Sequence, residues 1–75
     1  MIYINKSKDK KFYVTIIGDN NEVLNTSEML NTKQAAWVNI WAVMNVLGTL
    51  QSKVKDCTVK KPVMYVVTYG VKLRQ

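Results

Sequence analysis

Lysine supplies most of the chemistry this sequence offers. Lys6, Lys8, Lys10 and Lys11 crowd one short stretch, and Lys53, Lys55, Lys60 and Lys61 crowd another. Ammonium groups so grouped can grip phosphates, and nucleic-acid affinity is dominated by contacts of that kind, which weaken as salt rises. A solvated hairpin tip accounts for the same clusters, because surface charge runs need no partner. Eleven Lys and Arg residues against five acids leave a net charge of +6, an excess that favours an anionic partner. Arg74 is the one arginine. Its planar fork is the group that matches guanine edges, so its scarcity argues against sequence-specific base readout.

Catalytic chemistry has little to work with. Cys57 and several hydroxyls are the available nucleophiles, but the chain contains no histidine to activate them. No glycine-rich phosphate loop follows a strand. Asp19, Glu22 and Glu28 are too separated along the chain to suggest an acid and base pair, so the expectation is ordinary surface carboxylates and a packed Cys57 thiol. One thiol and five scattered carboxylates match no structural zinc spacing, and one cysteine closes no internal disulfide. The reading is therefore not an enzyme, with neither metal nor cofactor. A chain of 75 residues lacking both kinds of staple gains support most readily by self-association. No basic segment leads into an apolar stretch at the start, and no run reaches the ~18 apolar residues of a spanning helix. A soluble, cytoplasmic protein is expected, with no membrane partner.

These side chains must be positioned by one small domain. Residues 2–5 alternate as a short strand and meet a lysine-rich turn. Residues 11–17 form a stronger strand, with Phe12, Val14 and Ile16 on one face and Tyr13, Thr15 and Ile17 on the other. Gly18, Asp19, Asn20 and Asn21 supply turn chemistry, and residues 22–27 make the third strand of an antiparallel meander. Asn31 or Thr32 can cap a helix over 33–47, a span free of Gly and Pro that Gly48 ends. Ala36, Ile40, Val43 and Leu47 recur at the helical period and define the face expected on the sheet. Residues 49–61 fit either a short helical turn or a loop, with Leu50, Val54 and Cys57 spaced by three or four. Pro62 opens a final strand over 63–69, which Val71 to Arg74 can extend beyond Gly70. The expected fold is α+β, an antiparallel sheet of a three-strand meander and a C-terminal strand packed on one helix.

The stretch from Phe12 through Val43 resembles the YegP-like domain. Thr26-Ser27-Glu28, then Thr32-Lys33, Ala35-Ala36, Ile40 and Val43 carry the likeness, which covers about residues 1–44. The resemblance implies a β-β-β-α-β unit that occurs as tandem repeats or paired subunits sharing one sheet with exchanged C-terminal strands, and so a dimer. It implies no activity. Trp37, Trp41 and Met44 stand where the family helix is usually polar, and Asn39 stands where it has a small residue. The order of three strands and a helix also resembles sheet-reading DNA-binding domains of plant transcription factors and some integrases, which line their sheet with arginine.

At 100° per residue, Trp37, Trp41 and Met44 form a second apolar stripe beside the Ala36 face. A four-stranded sheet cannot cover both. Either the C-terminal segment folds across the tryptophans or they form a self-association or partner surface, for which Trp is enriched. Two functions follow. One is a protein-interaction module, such as a small inhibitor or adaptor of the kind mobile elements and phages encode, acting as a homo-oligomer through Trp37, Trp41 and Met44. The other is a basic module for nucleic acid or a nucleotide, with the eight lysines named above as anion ligands and Tyr13 as a stacking platform.

Overall fold

A computed structural model describes residues 1–18, 20–48, 51–68 and 71–74, the Val71 side chain excepted. Asp19 of the expected turn, Thr49 and Leu50 after the helix, and Tyr69 and Gly70 of the last strand lie outside the described residues. Six strands and one helix follow in the order β1 (Ile2–Lys6), β2 (Phe12–Ile17), β3 (Val23–Thr26), α1 (Lys33–Leu47), β4 (Gln51–Asp56), β5 (Val63–Thr68) and β6 (Val71–Arg74). They build one sheet ordered β3-β2-β1-β4-β5-β6, so the α+β class is as expected while the sheet is wider. All neighbours are antiparallel except β1 and β4, which run parallel with Ile2 opposite Val54 and Ile4 opposite Asp56.

Two segments depart from the sequence reading. Residues 51–56 form neither helix nor loop but a strand next to the centre of the sheet. Their inward positions, Ser52, Val54 and Asp56, include only one apolar residue, so the period of two is faintly written. Val71–Arg74 is not a continuation of β5 but a strand that turns back and pairs with it, placing Arg74 opposite Tyr65. The chain's own β4, β5 and β6 thus complete the sheet beyond the meander.

The helix begins and ends where its caps dictate. Thr32 is extended and its hydroxyl accepts from the Ala35 N–H at 3.0 Å, while Asn31 takes no part. Gly48 adopts φ 69°, a left-handed cap that costs glycine little. Among the described residues no helix is long and apolar enough to cross a membrane.

One face of α1 lies on the sheet, over Ile2, Ile4, Val14, Ile16, Val54 and Val67. The buried helical residues are Ala36, Trp37, Ile40 and Met44, rather than Ala36, Ile40, Val43 and Leu47. The helix is rolled by roughly 45° from the expected face, at 100° per residue, toward the tryptophan stripe. Val43 is half-buried, and Leu47 is 65% exposed. The extra strands explain the roll. Tyr65 of β5 meets the Trp37 ring edge-on at 5.1 Å, so the wider sheet rewards burying Trp37 instead of Leu47.

Candidate functional site

Alternation along the strands divides the side chains between a helix-covered face and an open one. Cross-strand register puts Tyr3 and Asn5 of β1, Tyr13, Thr15 and Ile17 of β2, Lys53 and Lys55 of β4, and Met64 and Val66 of β5 on the open face. Tyr3 lies between Thr15 and Lys55, and Asn5 lies beside Tyr13. The Asn5 amide donates to the Thr15 hydroxyl at 3.1 Å, fixing the polar spacer between the two tyrosines. A shallow depression of about 440 Å³ is lined by Tyr3, Asn5, Tyr13, Thr15, Ile17 and Asn21. Tyr13 therefore has a companion in Tyr3, which the Ile2-Tyr3-Ile4 alternation could have revealed.

The parallel pairing of β1 and β4 has a larger effect. Because both strands run the same way, the loops that follow them, 7–11 and 57–62, leave the same end of the sheet. The Cys57 N–H donates to the Ile4 carbonyl at 2.9 Å and ties the second loop to the root of the first. Lys8, Lys10, Lys11, Lys60 and Lys61 are carried on these loops, with Lys6 at the end of β1, and all six are exposed. The Lys6 ammonium leans over the Phe12 ring at 5.9 Å, on the helix-covered side. Lys53 and Lys55 separate from Lys60 and Lys61, since they sit on the strand itself. The two lysine runs of the sequence thus become one basic end and a basic strip on the open face.

Acids at that end are already engaged. Asp9 accepts from the Ser7 hydroxyl, which holds its carboxyl below the ordinary range. Asp56 is not a surface carboxylate: it is 1% exposed, and its Oδ2 meets the Lys33 ammonium at 2.5 Å. Its Oδ1 accepts from the Thr58 N–H at 2.9 Å and hydroxyl at 2.5 Å. Burial works to raise this carboxyl, but the Lys33 ammonium and the Thr58 donors outweigh it and hold it below the usual range. Among the described residues Lys33–Asp56 is the one ion pair, so neither Lys6 nor the five loop lysines forms one. Cys57 is exposed and free rather than packed.

The proposed interface residues divide. Trp37 is 4% exposed and Met44 is in the core, so neither offers the surface expected of it. Trp41 is partly buried, its ring 6.2 Å from that of Trp37. Lys72 of β6 caps the pair, its ammonium 4.4 Å from the Trp37 ring and 6.0 Å from the Trp41 ring. The C-terminal hairpin is what covers the tryptophans.

No family model, curated protein or solved structure matches the chain.

Proposed function

We propose that this chain is a non-catalytic module that binds single-stranded nucleic acid without strong sequence preference. The lysine end and strip would take phosphates, while Tyr3 and Tyr13 would offer their rings to bases. The carrying observation is the parallel β1–β4 pairing, which merges two lysine runs beside an uncovered, tyrosine-bearing sheet face. Lysine without arginine suits backbone attraction and gives little base discrimination. The YegP-like resemblance of residues 1–44 supplies no activity that bears on this reading. The protein-interaction reading loses two of its three side chains to the core and moves to the opposite stripe of α1.

Anisotropy titrations of labelled single-stranded oligonucleotides across a salt series test the proposal. Six phosphate contacts give a log–log salt slope of about −4 for a single strand, and Lys60→Gln with Lys61→Gln reduces its magnitude by about 1.4. Tyr13→Ala weakens binding by about 1–3 kcal/mol with the slope unchanged, since stacking carries no counterion release. Absence of binding at low salt refutes the function. Equal affinity for heparin together with an inert Tyr13→Ala variant reduces it to nonspecific charge.

A further inference from the structure

Rolling α1 toward the sheet leaves an unusual stripe on its far side. Between Gln34 and Gly48 the helix carries no charged residue, although a solvent-facing helix normally displays charge. The outward positions are Ala35, Val38, Ala42 and Val46, with Val38 56% and Val46 84% exposed. Their spacing of three and four residues is that of a helix-packing seam. Beside it runs an apolar groove of about 390 Å³, bordered by Leu24 of β3 and by Val43, Val46 and Leu47.

We infer that this stripe is a homodimer interface in which two α1 helices pack antiparallel about a two-fold axis. The pattern is self-complementary in that orientation alone. With the axis near Ile40, Ala35 faces the partner's Val46 and Val38 faces the partner's Ala42, so each valine meets an alanine across the seam. In parallel alignment valine would abut valine and alanine would abut alanine, leaving gaps.

Charge selects the same orientation. Each copy carries +6, and the basic loops gather at the helix N-terminal end, where Lys33 reaches Asp56. Antiparallel packing separates the two basic ends by about the helix length, roughly 22 Å for 15 residues. That exceeds two Debye lengths of about 8 Å at physiological salt, whereas parallel packing would set the ends side by side.

Molecular mass by light scattering or sedimentation equilibrium, measured from low micromolar to millimolar concentration at moderate and high salt, tests the inference. The wild-type chain should pass from 8.6 kDa to twice that mass, at lower concentration when salt screens the repulsion. Ala42→Lys and Val38→Glu, both at exposed positions, should each keep the wild-type circular dichroism while dimerising at least about tenfold more weakly. Mixed together they should restore a heterodimer, because residue 42 of one copy faces residue 38 of the other. A wild-type monomer throughout, or a dimer that both variants leave unchanged, overturns the interface. A dimer weakened by each variant but not restored by mixing overturns the antiparallel register. Should either variant unfold, the wild-type mass and the conservative Val38→Ala, expected to weaken the dimer without disturbing the fold, still decide.

Discussion

Replacing Asp56 with Asn should destabilise the domain in a way that depends on pH. The Asn amide keeps an acceptor for Thr58 but turns its NH₂ toward the Lys33 ammonium, which previously met Oδ2 at 2.5 Å. Lys33 is 36% exposed at its side chain and can swing into water, so the substitution leaves no buried ammonium behind. The loss is then a charge-assisted hydrogen bond discounted for solvation, about 1.5 kcal/mol. A domain of 75 residues has a total stability of roughly 4–11 kcal/mol, and the melting temperature should fall by about 6–12 °C. Lys33→Met should cost more, about 3 kcal/mol, because it strands a buried carboxylate with only Thr58.

The pH dependence follows from the lowered carboxyl. A group whose folded pKa is depressed contributes stability above its unfolded value, 3.8 here, and loses it as pH falls through the folded value. The gap in melting temperature between wild type and Asp56→Asn should therefore hold from neutrality down to about pH 5 and close at lower pH. Melts followed by circular dichroism across that range provide the test. An Asp56→Asn variant that melts with the wild type at neutral pH, or a gap that persists unchanged in acid, would refute the ion pair as described. The consequence reaches the basic end, because Asp56 also anchors Thr58 in the loop that carries Lys60 and Lys61.

Two further substitutions probe the helix. Trp37→Ala should cost about 3–5 kcal/mol and leave a poorly cooperative melt, whereas Val46→Ala should fall within about 0.5 kcal/mol for a monomeric sample, and the reverse ranking would show that α1 faces the other way. Gly48→Ala should lower stability by about 1 kcal/mol through backbone strain alone, since an added Cβ meets nothing within 4 Å. A neutral Gly48→Ala in thermal melts would mean that the left-handed cap is absent.

What the residues specified directly was local. Thr32, Gly48 and the Gly- and Pro-free span between them set both ends of α1, because capping involves neighbours in sequence. Alternation along 12–17 likewise assigned Tyr13 and Thr15 to one face and Val14 and Ile16 to the other. Long-range pairing was not legible in the same way. Which strand lies beside β1 is decided by contacts between segments far apart in the chain, and the lone inward valine of β4 marks that strand too faintly to announce it. Two features hang on that pairing. It adds β4, β5 and β6 beneath the helix, so Tyr65 and Lys72 reach the tryptophans and the helix rolls to bury Trp37 and Met44. It also brings Lys60 and Lys61 to the end of the sheet that carries the first lysine run, against their mutual repulsion, because backbone pairing and the burial of Ile2, Ile4 and Val54 outweigh a repulsion that water and salt largely screen.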